Sequence, residues 1–180
     1  MERRLQMAKR ALIIIDMLND FVQRGAPLEV PETRKVIPAI RRQIEESHRE
    51  GSPVIYVCDA HEPDDIEFRQ FGWPPHAVRG TSGAEVVDEL KPSGKDIMVE
   101  KTTYSGFYHT ELDKILKNLG VDTVRLTGCV THICVLFIAL EAGVRGYRIE
   151  VVSDGVAGLA PEDHEAALRI MKNVTRAQIV

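Results

Sequence analysis

Three residues stand where buried runs end and chemistry can begin. Asp16 follows the β-branched run 11–15, and Lys101 stands just past the apolar stretch 96–100. Cys134 follows the alternating segment 123–127, across a tight connection opened by Gly128. A carboxylate, an ammonium and a thiol delivered to one edge of one sheet make a set for nucleophilic catalysis. Lys101 would stabilise the Cys134 thiolate, while Asp16 would take the thiol proton and return it to a leaving nitrogen. Cys134 falls at or just before the first turn of a helix over 135–142, where unpaired N–H groups favour negative charge. That position lowers a thiol's pKa. Backbone N–H groups around Val130 and Cys134 are placed to hold an oxyanion. The chemistry that results is attack on an amide-like carbonyl, loss of an amine, and hydrolysis of a thioester. Taken singly, each residue has a plainer reading. A free cysteine is usually a small buried apolar group, a strand-end lysine is usually solvated, and an aspartate after a strand is often a turn or cap.

A second set lies between the first two strands' ends and the next element. Asp59 and His61 alternate by two at a strand end, and His76 returns toward them after the turn forced by Pro74 and Pro75. One carboxylate and two imidazoles suit a divalent metal such as zinc, with positions left for water or substrate. The same residues also fit the polar lining of a solvated loop. The loop 102–108 carries the aromatics Tyr104, Phe107 and Tyr108, suited to packing on a flat substrate with Tyr104 and Phe107 as the expected contacts, although loop aromatics often tuck into the core.

The elements that must position these groups follow from periodicity. The continuous run 11–15 predicts a strand buried on both faces of a parallel sheet. Val36, Ile37, Ile40 and Ile44 keep one helical face, closed by Gly51 and Pro53, and 53–57 is a second strand. Such a strand–helix–strand crossover is nearly always right-handed. The polar, irregular stretch from Cys58 to Gly83 is long enough to be functional. A third strand over 96–100 leads to Thr110 and Asp113, which resemble a capping box. Leu112, Ile115, Leu116 and Leu119 mark the helix that follows, and Gly120 is its C-terminal cap. The strand at 123–127, the Cys134 helix, a strand over 148–152, a helix opened by Pro161 (Ala166, Ala167, Ile170 and Met171 inward) and a terminal strand at 177–180 complete the alternation. It predicts a doubly wound, mostly parallel six-stranded α/β sheet with helices on both faces. Neither a dinucleotide-binding glycine fingerprint nor a phosphate-binding loop is present.

Composition narrows the setting. At 180 residues and 44% apolar, residues 1–180 read as one domain with a sizeable core. A formal net charge of -4 gives no electrostatic case for nucleic acid or an anionic membrane. The N-terminus is basic, but the apolar run after it ends at Asp16, too short for a signal peptide or membrane span. Cys58, Cys129 and Cys134 are odd in number and not spaced as a disulfide framework, which points to a reducing cytoplasm.

The sequence resembles the isochorismatase-like cysteine hydrolases, closest in motifs to nicotinamidases and pyrazinamidases. The resemblance rests on Ile15, Asp16 and Met17 with Asp20 and Phe21; on Asp59, Ala60 and His61; and on Trp73, Pro74, Pro75 and His76 with Gly80 and Thr81. It continues through Lys101 with Tyr104, Ser105, Gly106 and Phe107, and through the stretch from Thr127 to Cys134. It implies a triad of Asp16, Lys101 and Cys134, and a non-proline cis peptide between Cys129 and Val130 beside the oxyanion donors. It further implies a metal held by Asp59, His61 and His76, with Phe21 and Trp73 flanking a pyridine ring. The implied reaction is hydrolysis of a small aromatic carboxamide to acid and ammonia, by homo-oligomers (dimers or tetramers). Where nicotinamidases place His-x-Ser-Phe after the first metal histidine, this chain has Glu62 to Phe68, which offers Glu67 as an additional ligand. His132 is one residue from where some relatives place a histidine and is assigned no role. Two other readings stay open: a hydrolase of another small amide, ureide or carbamoyl compound without a metal role, and a non-catalytic scaffold domain.

Overall fold

The strands are β1 (Arg10–Ile15), β2 (Val54–Asp59), β3 (Ile97–Lys101), β4 (Thr123–Cys129), β5 (Arg148–Ala157) and β6 (Gln178–Ile179). In the computed structural model, which describes residues 9–180, they form one sheet in the order β3-β2-β1-β4-β5-β6. The basic segment over residues 1–8 lies outside the described residues. Every pairing is parallel, which explains why β1 is apolar without alternation: both of its faces are covered, and Ile13 and Ile15 are fully buried.

The helices are α1 (Asn19–Val22), α2 (Thr33–Glu50), α3 (Ile66–Phe71), α4 (Leu112–Asn118), α5 (Leu136–Val144) and α6 (Pro161–Thr175). Two cores result. One sheet face packs on α4, α5 and α6 through Leu112, Leu116, Ile138, Ala142 and Met171. The other packs on α1 and α2 through Phe21, Val36, Ile37 and Ile40. Each fully buried aliphatic side chain contributes on the order of 1.5–3 kcal/mol.

Several local expectations are corrected. Ile170 is 41% exposed, while Leu168 packs against the core instead, because the buried stripe of α6 follows Ala167 and Met171. The polar Ser153 and Asp154 do not end β5, which continues to Ala157. Thr110 makes no capping box: its hydroxyl accepts from the Leu112 N–H, and Asp113 turns to Lys117 and Tyr147. Part of the stretch expected to be irregular is α3, whose N-cap Asp65 accepts from the Glu67 N–H.

The strand order reverses between β1 and β4. In an open parallel sheet this leaves a crevice beyond the strands' C-terminal ends, where ligands bind. Asp16 follows β1 on one side of that crevice, and the segment carrying Cys134 follows β4 on the other. Gly128 is required at this junction: a Cβ there would lie 2.0 Å from the Ile15 carbonyl oxygen, and its φ is +108°.

Candidate active site

Lys101 and Asp59 end β3 and β2, Asp16 follows the adjacent β1, and a row of charges runs across them. Lys101 is the register partner of Asp59. Its ammonium lies 2.5 Å from Asp59 Oδ1 and 2.8 Å from Asp16 Oδ2, and all three side chains are at most 5% exposed. Asp16 Oδ1 accepts the Asp59 N–H at 2.8 Å. Asp16 Oδ2, although close to Lys101, has no well-aligned donor. The Asp16 backbone is left-handed at φ +50°, a region where aspartate is among the tolerated residues.

Cys134 completes the row. Its Sγ lies 3.5 Å from Lys101 Nζ, and carboxylate atoms of Asp16 and Asp59 lie with Sγ inside a 4.8 Å cluster. Cys134 sits within a π-helical turn, Thr131–Val135, that precedes α5, and the peptide between Cys129 and Val130 is cis. The expected lowering of the thiol pKa is not what this environment produces. Burial pushes the Cys134 thiol well above its ordinary value, Lys101 acts against that rise, and Asp16 adds to it. Burial likewise raises Asp16, helped by Asp59 and opposed by Lys101, to about 6. A buried thiol therefore faces a carboxylate made more basic than usual, with an ammonium beside both.

Asp59, His61 and His76 present ligand atoms within 4.8 Å of one another. His61 is fully buried, its Nδ1 is 3.0 Å from Asp65 Oδ2, and its Nε2 has no hydrogen-bond partner among the described residues. His76 Nδ1 is 2.8 Å from the Pro74 carbonyl oxygen, so that nitrogen donates and Nε2 is the free acceptor. Nε2 of His61 and of His76 lie 3.7 and 3.8 Å from opposite oxygens of Asp59. Two imidazoles, each anchored through Nδ1 with Nε2 turned toward one carboxylate, have the form of a metal-ligand set with its supporting shell. The orphaned, buried His61 Nε2 is the polar atom that a divalent cation would satisfy, and the donor set fits zinc.

One cavity is lined by residues of both sets: Cys134, Asp16 and Val130 together with Asp59, Glu67 and His76, with Phe21, Trp73 and Tyr104 among its walls. Trp73 Nε1 donates to the Tyr104 hydroxyl at 2.7 Å. Burial pushes the Glu67 carboxyl up to about 7, with Asp59 adding to the rise. Phe107 is not part of this cavity. It is 6% exposed, stacks on Tyr147 and lies under Arg145, because the turn at Ser105 and Gly106 points it into the core. Cys129 is fully buried behind the site, its Sγ donating to the Asp16 carbonyl. His132 does not line the cavity; its Nδ1 is buried without a partner. Leu28, Ile133 and Leu159 line the cavity without having been singled out in the sequence. Asp65 was also missed, though its spacing of four from His61 was a usable signal.

The family model of the isochorismatase domain matches residues 10–179. The chain is 33% identical to a probable inactive nicotinamidase of Arabidopsis thaliana, covering 91% of this chain and 88% of that one. It is 42% identical to N-carbamoylsarcosine amidase of Thermoplasma acidophilum, with 95% of each chain covered and a TM-score of 0.86. It is 37% identical to the pyrazinamidase of Pyrococcus horikoshii, solved in complex with zinc, over 96% of this chain and 98% of that one, with a TM-score of 0.89. The chain belongs to the isochorismatase family and is a hydrolase acting on amide C–N bonds.

Proposed function

We propose that the protein is a metal-dependent, nicotinamidase-like amidase that converts a small, uncharged aromatic carboxamide to its acid and ammonia. The observation that carries this reading is a single cavity lined by Cys134, by Asp59 and His76 of the ligand set, and by the aromatic side chains Phe21, Trp73 and Tyr104. In this reading a flat heteroaromatic ring packs on Phe21 and Trp73, with its carboxamide toward Cys134.

The reaction follows from the side chains. As Cys134 Sγ attacks the carboxamide carbon, Asp16 Oδ2 takes the thiol proton, and the Lys101 ammonium balances the charge on sulfur and carboxylate. The carbonyl oxygen becomes an oxyanion held by backbone N–H groups of Val130 and Cys134. Collapse of the tetrahedral adduct breaks the C–N bond, and Asp16 gives its proton to the departing nitrogen, which leaves as ammonia. Asp16 then deprotonates a water that attacks the thioester, and Cys134 is released with its proton restored. Asp59, His61 and His76 would hold a divalent ion, with Glu67 as an additional ligand; such an ion supplies a Lewis-acid point for a ring nitrogen.

A second reading, hydrolysis of a carbamoyl or ureido compound with no metal role, is favoured by the likeness to N-carbamoylsarcosine amidase. Against it, the acidic residues lining the cavity are Asp16, Asp59 and Glu67, and its lining holds no arginine or lysine. Lys101 is already committed to two carboxylates. Among the described lining residues a substrate carboxylate finds no free arginine or lysine. Chelator-sensitive ammonia release from nicotinamide supports the first reading, and chelator-insensitive turnover of a carbamoyl compound supports the second.

Among the described residues, no helix is long and apolar enough to cross a membrane. We infer a cytoplasmic setting from the three free, buried cysteines. We also infer a homo-oligomer, dimer or tetramer, because α5 is apolar around most of its circumference yet leaves Phe137 and Val144 exposed. Light scattering at micromolar concentration tests the latter.

A further inference from the structure

Lys101 and Cys134 belong to two chain segments that stay in contact beyond the site. Inside the site, Lys101 Nζ meets Cys134 Sγ at 3.5 Å. Further along the same two segments, Ser105 Oγ donates to Glu141 Oε2 at 2.6 Å. Ser105 is 8% exposed and spends its whole hydrogen-bonding capacity here: one donation to Glu141, and acceptance from the N–H groups of Phe107 and Tyr108 at 3.1 and 2.8 Å. Glu141 is the one charged residue of α5. The fit is tight beside it: a Cβ on Gly106 would lie 2.8 Å from the Ile138 side chain. Four residues on from Glu141, Arg145 lies 4.4 Å from the ring centroid of Phe107. Glu141 of α5 and Arg145, which caps its C-terminus, thus clamp positions 105 and 107 of one loop.

Tyr104, immediately before the clamped serine, is the residue this arrangement fixes. Its ring stacks on Phe71 at 5.1 Å and meets Phe137 edge-on at 5.5 Å, and its hydroxyl accepts from Trp73 Nε1. Tyr104 and Trp73 are both walls of the cavity, whereas Glu141 and Ser105 are not among its lining residues.

We propose that Glu141 is a positioning residue for substrate fit, acting through Ser105 to hold Tyr104 and, through it, Trp73. The inference rests on the reading of this cavity as the substrate pocket. It assigns Glu141 to the pocket's aromatic wall and leaves the Cys134 chemistry to other groups.

Trp73 is the sole tryptophan of the chain, so its fluorescence reports on this wall without any substrate. Glu141→Ala and Ser105→Ala are each expected to raise acrylamide quenching of Trp73, while Glu141→Gln, which keeps an acceptor for the serine hydroxyl, restores it. On the amide that the wild type turns over, Glu141→Ala is expected to raise KM about tenfold, the order for one lost hydrogen bond to a charged partner. Its kcat and its rate of Cys134 alkylation should stay within about twofold of wild type, since the reacting groups keep their contacts. Unchanged quenching in a folded Glu141→Ala or Ser105→Ala protein overturns the proposal. So does a glutamine variant that behaves as alanine, or a loss confined to kcat. If Glu141→Ala does not fold, Ser105→Ala carries the same test. A wild type that leaves nicotinamide untouched refutes the substrate assignment, and the fluorescence result still decides the role of Glu141.

Discussion

The Lys101 ammonium lies 2.5 Å from Asp59 Oδ1, across the register pair that joins β3 to β2. The same nitrogen is 2.8 Å from Asp16 Oδ2, so one buried cation ties the carboxylate beside the thiol to the carboxylate beside the two histidines. Lys101→Met would leave both carboxylates buried without their cation. Removing one partner from a buried ion network costs roughly 3–5 kcal/mol. Urea denaturation of the metal-free protein is expected to show a loss of that order, together with loss of turnover. A variant as stable as wild type would contradict the pairing.

Asp65 is expected to control metal affinity without being a ligand. It holds His61 Nδ1 at 3.0 Å and so aims Nε2 at the space shared with Asp59 and His76. Asp65→Ala should weaken zinc binding by about 10- to 100-fold, the usual effect of removing such a support. Competition against a chromophoric chelator measures it. Unchanged affinity would mean that His61 is not a ligand.

The cavity's charge predicts its selectivity. Lys101 already pairs with Asp16 and Asp59, and the described lining residues include no arginine or lysine, so an uncharged pyridine carboxamide should exceed a carboxylate-bearing ureido compound in kcat/KM by about tenfold or more, the order of one buried charged group left unpaired. Parallel ammonia-release assays on the two classes give the ratio. Equal rates would remove the argument from charge.

Gly128 and Gly51 provide a stability contrast. Both have positive φ, but a Cβ at Gly128 meets the Ile15 backbone while one at Gly51 meets nothing within 4 Å. Gly51→Ala should cost about 1 kcal/mol, the conformational penalty alone. Gly128→Ala should cost more than about 3 kcal/mol, since backbone must move against backbone in the sheet centre. Equal midpoints in urea would show that β4 has room to shift away from β1.

What the sequence disclosed was whatever periodicity or chain position encodes. The unbroken run before Asp16 marks a central parallel strand, and the spacing of Val36, Ile37 and Ile40 marks the face of α2. Strand ends then place Asp16, Asp59 and Lys101 in one layer. Groups that depend on contacts between distant segments were not readable. Phe107 was expected at the substrate, yet the Ser105 turn buries it, a consequence of a bond to Glu141 on a helix that follows it in the chain. Ile170 has the same residue type as core positions and only its angle on α6 exposes it. The thiol's environment shows the same limit. A position near a helix start suggests a lowered pKa, while the burial that raises it is a property of the packed fold.

The most direct test of the central claim is ammonia release from nicotinamide by the wild type, before and after chelation and zinc re-addition, with Cys134→Ala as control. The account predicts turnover that chelation abolishes, that zinc restores and that the alanine variant lacks. Turnover indifferent to chelation, or persisting in Cys134→Ala, would contradict it.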